Sequence, residues 1–138
     1  MERINDLLLD FVSPCDKYSL TFEDDGKVAY AYLKEGNKIV GDVWLYNRCE
    51  TPEVTEWKDR NNIPFANCKG YMREEGRLEE PVGLEEVYVT WDSNDKGPVA
   101  YVHVLENLLG VVGVDDKPGC ARFAIRDGPL AKIMIIED

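Results

Sequence analysis

The chain has 138 residues, enough for one domain and one core, and its apolar fraction of 44% with three Trp and seven Tyr separates it from disordered chains. Its 27 acidic and 16 basic residues leave a formal charge of -11, which opposes binding to nucleic-acid phosphates or an anionic membrane surface and favours a basic partner. There is neither an uninterrupted apolar leader nor a run of about 18 apolar residues, so a cytoplasmic location without a membrane span is expected.

In chain order, Ile4, Leu7, Leu8, Phe11 and Val12 recur at helical spacing. They predict an amphipathic N-terminal helix over residues 1–13 that ends at Ser13-Pro14 and covers a sheet. Three strand-like runs follow, Tyr18 to Glu23, Lys27 to Lys34 and Lys38 to Tyr46, broken by Asp24-Asp25-Gly26 and Glu35-Gly36-Asn37. Both breaks are hairpin signals, and together they predict a three-stranded meander over 18–46. A three-residue loop at the first sets Phe22 opposite Val28, Leu20 opposite Tyr30 and Tyr18 opposite Tyr32. A two-residue loop at the second sets Val28 opposite Leu45, Tyr30 opposite Val43 and Tyr32 opposite Gly41. This register leaves Asp42, Trp44 and Tyr46 together on the face away from Tyr30 and Tyr32; a slip of one residue would carry Asp42 across to the tyrosines. Gly41 would give the Tyr32 ring room to lie across the strand.

From Asn47 to about Leu84 the alternation stops, and Pro52, Pro64, Pro81, Gly70, Gly76 and Gly83 punctuate a charged stretch that reads as a long excursion with one short helical turn. Residues 85–138 return to hairpins. Glu86 to Asp92 and Val99 to Leu105 flank a turn at Ser93 to Pro98, and Leu108 to Val114 favours a strand over a short helix. A last pair of runs, Cys120 to Arg126 and Leu130 to Ile136, flanks Asp127-Gly128-Pro129. The expected fold is α+β and mainly β, with antiparallel hairpins forming a bent sheet, a two-layer sandwich or a partly open barrel and one N-terminal helix, in a single domain over 1–138.

Motifs for chemistry are missing. No phosphate-binding glycine loop, dinucleotide fingerprint, zinc-protease motif or nucleophile elbow occurs, so no catalytic residue and no cofactor is assigned. His103, the single histidine, sits between Val102 and Val104 in a strand run and reads as packed or surface-exposed. Cys15, Cys49, Cys68 and Cys120 form no C-x-x-C pair, which argues against a metal site and for four free thiols. Paired acids such as Glu74-Glu75, Glu79-Glu80 and Glu85-Glu86 read first as solvated charge rather than as an acid and base pair.

The charge is concentrated. Residues 50–95 carry 12 acidic against 5 basic side chains, so this segment is the expected contact surface for a basic protein partner. Its candidate residues are Trp57 as an aromatic anchor with Glu53, Glu56 and Asp59 around it, together with Glu74, Glu75, Glu79 and Glu80. The profile suggests a stoichiometric protein of the bacterial immunity type, which neutralises a basic toxin or effector by occluding its site. The alternative is a small-molecule or carbohydrate site on the sheet face of Asp42, Trp44 and Tyr46, with a carboxylate-dependent enzyme as its catalytic form, where an acid among aromatics suits recognition of an arginine.

Overall fold

The structure is a computed structural model that describes residues 7–55, 57–58 and 60–135. Its first strand, β1 (Leu7–Val12), occupies the segment expected to be helical; Ile4 lies outside the described residues. The apolar positions of this segment satisfy a strand as well as a helix, because Leu7, Leu9 and Phe11 alternate with the exposed Leu8, Asp10 and Val12. What decides is a partner: β1 pairs antiparallel along its whole length with β2 (Tyr18–Asp24), and Thr21 Oγ1 donates to Asp10 across the pair at 2.5 Å. A helix there would leave the outer edge of β2 unpaired.

The meander is present as β2, β3 (Val28–Glu35) and β4 (Lys38–Asn47), and it completes a four-stranded sheet in the order β1-β2-β3-β4. Its register differs from expectation. At the first turn Asp24 pairs with Ala29, so Phe22 faces Ala31 and Leu20 faces Leu33. Side-chain capping explains the wider loop: Asp24 Oδ1 accepts Gly26 N–H at 2.9 Å, and Asp25 Oδ1 accepts the N–H groups of Lys27 and Val28. At the second turn the two-residue loop holds, with Glu35 opposite Lys38, but Val40 and then Leu45 are extra residues in β4, each a bulge. The first bulge supplies the one-residue slip. It sets Tyr32 opposite Asp42 and Leu33, not Tyr32, opposite Gly41.

The second sheet runs β5-β6-β7-β8-β9, from β5 (Val87–Asn94), β6 (Gly97–Val104), β7 (Asn107–Gly113), β8 (Cys120–Ala121) and β9 (Lys132–Ile133). Leu108 to Val114 is therefore strand. The closing runs do not form the expected hairpin: β8 and β9 are two residues each and parallel. Residues 122–125 spend their backbone groups elsewhere, with Arg122 N–H on Leu109 O, Phe123 O on Arg73 N–H and Ile125 N–H on Tyr71 O.

The two sheets share one core. Leu20, Phe22, Leu33, Val43 and Leu45 are fully buried and belong to the same cluster as Val102, Val104 and Val112, each such side chain contributing roughly 1.5–3 kcal/mol by leaving water. Close approach needs glycine: a β-carbon at Gly110 would lie 2.5 Å from Leu45 Cδ2. Along the free edge of β4, Asp42 N–H donates to Asp116 O, Gly119 N–H to Asp42 O and Trp44 N–H to Leu130 O, so the segment after β7 closes this edge.

The excursion is packed rather than loose. Asn47, fully buried at the end of β4, accepts Asn67 N–H (3.1 Å) and the Trp44 indole N–H (2.9 Å) on Oδ1, donates from Nδ2 to Asn67 O (2.9 Å), and its carbonyl accepts Leu78 N–H. Among the described residues the helical geometry is three short 3₁₀ turns, at Arg60–Asn62, Glu74–Gly76 and Leu84–Glu86. Among the described residues no helix is long and apolar enough to cross a membrane.

Candidate functional site

Two surfaces gather the residues singled out above. The first is a cleft on the face of the four-stranded sheet that turns away from the second sheet. The β4 bulge at Val40 brings Asp42 opposite Tyr32 and Trp44 opposite Tyr30, so acid and tyrosines share one face. The Tyr30 and Tyr32 rings stack at 5.8 Å with planes 8° apart. The excursion supplies the facing wall through Trp57, Ile63, Pro64 and Phe65, and the C-terminal segment adds Pro129 and Leu130, enclosing about 290 Å³. Tyr30 Oη donates to Phe65 O at 2.6 Å and Lys27 Nζ to Pro64 O at 3.1 Å, which fixes this wall on the sheet. Trp57 packs edge-on against Tyr71 at 4.9 Å, and the Arg126 guanidinium lies 4.7 Å from the far ring's centroid.

Among the described residues Asp42 is the only carboxylate that lines this cleft, and no imidazole lines it. Burial holds the Asp42 carboxyl above the usual carboxylate range, while Lys117 pulls the other way. The Tyr32 hydroxyl is pushed up to about 12, first by burial and then by the charges of Glu23, Asp42 and Asp25, so it stays protonated. The arrangement offers a flat aromatic wall, one half-buried anion and surrounding negative charge.

A stability signature follows from the raised Asp42 carboxyl. The fold binds this proton more tightly than the unfolded chain does, so the favourable contribution is present at low pH and is lost as pH rises through the folded value. At neutral pH the ionised acid is a net cost. Asp42→Asn is expected to raise the thermal midpoint by about 1–3 °C at neutral pH, and the gain should vanish near pH 3, where both states are protonated. Calorimetry at the two pH values checks it.

Trp44 and Tyr46, expected beside Asp42 on a ligand face, are both 0% exposed. The second β4 bulge separates them, leaving Trp44 opposite Tyr30 and Tyr46 opposite Ala29, where the Tyr46 hydroxyl donates to Asp24 at 2.8 Å. They support the site from within and offer a ligand no surface. Trp57 is half-buried in the cleft wall, and Glu56 and Asp59, two of the acids expected around it, lie outside the described residues.

The remaining acids divide. Glu53 pairs with Lys69 at 2.6 Å, and with Glu50 and Glu74 it lines a broad cleft of about 550 Å³ that also contains Lys69, Arg73 and Arg77. Three acids against three bases leave no surplus charge there. Glu75 is exposed beside it. Glu79 pairs with Arg77 at 3.2 Å and begins a different surface, where two shallow grooves share Glu86 and Leu105. Glu80, Glu85 and Glu106 stand here without an ion pair among the described residues, around Leu84 (65% exposed), Tyr88 (47%) and Leu105 (42%). This is the second surface.

Sequence reasoning missed Leu84, Tyr88, Leu105 and Glu106 because the patch joins the 3₁₀ turn before β5 to the turn between β6 and β7. Leu105 N–H on Glu86 O makes that junction, and Leu105 and Glu106 both hold left-handed backbone (φ 53° and 69°). Two residues between alternating strands were a readable hairpin signal; the neighbour across the sheet was not. His103 stacks face to face on Tyr88 at 4.4 Å and lies 3.1 Å from Thr90 Oγ1, with its basicity lowered by burial. Among the cysteines, Cys68 is buried, Cys49 and Cys120 are half-buried and Cys15 is exposed. Comparison with known protein families, with curated proteins and with solved structures finds no match to this chain.

Proposed function

We propose that this chain is a stoichiometric binding module for a basic protein, of the immunity type that neutralises a toxin or effector by covering its site. One observation carries the reading: Glu80, Glu85 and Glu106 make no ion pair among the described residues and stand near the exposed Leu84, Tyr88 and Leu105, while Arg77, the base that lines one of these grooves, is paired with Glu79. Large apolar groups at the centre of a patch supply contact energy when a partner desolvates them, and carboxylates at its rim steer a cationic surface toward it. The contact surface is thus the C-terminal end of the acidic segment. The Glu53 and Glu74 region takes no part, since its bases already neutralise it.

The test is co-expression with the basic product of an adjacent reading frame, followed by kinetics on the purified pair. A one-to-one complex is expected, and its association rate should fall by about tenfold or more between low and high salt. The double variant Glu85→Lys with Glu106→Lys should slow association by a similar factor, while Tyr88→Ala should act mainly on dissociation at a cost of about 2 kcal/mol. Absence of a complex, or a complex indifferent to salt and to all three changes, would exclude this surface and this function.

A further inference from the structure

We infer that the cleft formed by Tyr30, Tyr32, Asp42 and Trp57 is a binding site for a guanidinium group, separate from the acidic surface and independent of its role. The two share no lining residue.

Charge selects a cation. Among the described residues the cleft is lined by one carboxylate and no basic side chain, and the charges felt at Tyr32 are those of Glu23, Asp42 and Asp25. Lys117 is the one cation whose field reaches Asp42, and it forms no ion pair with it among the described residues. A phosphate or carboxylate ligand would meet the Asp42 carboxylate with no basic side chain among the described lining residues to offset it. An uncharged sugar could donate hydroxyl hydrogen bonds to the half-buried anion but would bring no counter-charge to it, whereas a cation supplies both.

Shape then selects among cations. The walls are flat rings and prolines: the stacked pair Tyr30 and Tyr32 on the sheet, with Trp57, Pro64 and Phe65 facing them. An ammonium group is compact and strongly hydrated, and it would surrender its water to walls that offer little in return. A guanidinium is planar and weakly hydrated, stacks on aromatic faces and presents a fork of N–H donors to a carboxylate. About 290 Å³ has room for one such group on its alkyl stem.

Trp57 adds a further sign that its place is not a matter of packing alone. Its indole Nε1 is buried and has no hydrogen-bond partner among the described residues, so the ring sits in the wall although its polar atom gains nothing there. A phenylalanine would fill the wall without that cost. The indole keeps the larger and more electron-rich face, the best of the aromatic faces for a cation.

The experiment uses the full-length ¹⁵N-labelled protein and follows the Trp57 indole signal, assigned by its disappearance in Trp57→Phe. Three probes are titrated: agmatine, Nα-acetyl-arginine amide, and the neutral ureido isostere Nα-acetyl-citrulline amide. A saturable shift with a Kd of roughly 0.1–5 mM is expected for the two guanidinium probes and not for the isostere. Asp42→Asn should weaken both by about tenfold or more, and since this variant is expected to be more stable at neutral pH, its loss of binding reads on the carboxylate and not on folding. Tighter agmatine would mark a free small molecule as the source, and a tighter acetylated residue would mark an arginine on a chain. No saturable shift up to about 50 mM, equal binding of the isostere, or unchanged binding by Asp42→Asn would overturn the assignment.

Discussion

Replacing Asp24 by alanine is expected to destabilise the fold by about 3–5 kcal/mol, the range for leaving one partner of a buried ion pair alone. Asp24 closes β2 and is 1% exposed. Its Oδ2 accepts the Tyr46 hydroxyl at 2.8 Å and faces Arg48 Nη1 at 3.3 Å, while its Oδ1 caps the turn at Gly26 N–H. Arg48 is itself buried, and its Nε donates to Leu78 O at 3.0 Å. Burial and the charge of Asp24 both raise the Tyr46 hydroxyl, so it remains protonated and can only donate toward the carboxylate.

Loss of the carboxylate would therefore leave a cation and a hydroxyl facing each other in the core. The damage should also spread along the chain, because Arg48 and Asn47 together hold Leu78 of the excursion to the end of β4. Urea unfolding followed by tryptophan fluorescence measures the energy, and hydrogen exchange at the Leu78 amide reads the coupling. Asp24→Asn keeps an acceptor but loses the charge and should cost less. An Asp24→Ala penalty under about 1 kcal/mol would show that this network does not hold the excursion down.

The second large effect is expected at Gly41. A β-carbon there would lie 2.6 Å from the carbonyl oxygen of Gly113 and 2.8 Å from Val112 Cγ2. Neither is the free end of a flexible chain, so relief requires the two sheets to move apart at this contact. Gly41→Ala should cost about 1–3 kcal/mol or more, seen as a fall of roughly 5–10 °C in Tm. Gly36→Asn is the control: φ is +60° and nothing lies within 4 Å of the added carbon. Asparagine tolerates that conformation, so the change should cost less than about 1 kcal/mol. Equal effects at the two sites would remove the steric explanation.

Gly41 also illustrates why the candidate site was only half legible. The sequence places a glycine, an acid and two tyrosines on neighbouring strands, and the turn at Gly36-Asn37 sets their pairing correctly at its first rung. The bulge at Val40 then shifts every later pair. Nothing in Ile39-Val40-Gly41 announces it, because an extra residue is favoured by what it meets across the sheet: the Val40 carbonyl accepts Asp115 N–H, and Gly41 comes to rest against β7 instead of under Tyr32. Trp57 was singled out for its acidic neighbours in sequence, yet its working neighbours, Tyr71 and the Tyr30 wall, come from elsewhere in the fold.

Hairpin turns and strand alternation are local properties, carried by a few side chains and their backbone preferences. By itself the sequence therefore determined a mainly β chain with strands over about 18–46 and 86–114, the places of the turns between them though not the pairing across the first, and the surplus of acid in 50–95. Pairing is not local. The segment Leu7–Val12 suits helix and strand equally and became strand because β2 had an edge to fill. The runs after Cys120 shortened because the excursion took their backbone groups. Tertiary structure alone decided which acids keep a surplus charge, which aromatics are buried, and that Asp42 from the sheet and Trp57 from the excursion wall one cleft. Those outcomes depend on contacts between residues far apart in the chain, where one extra residue in a strand reverses the face on which a side chain stands.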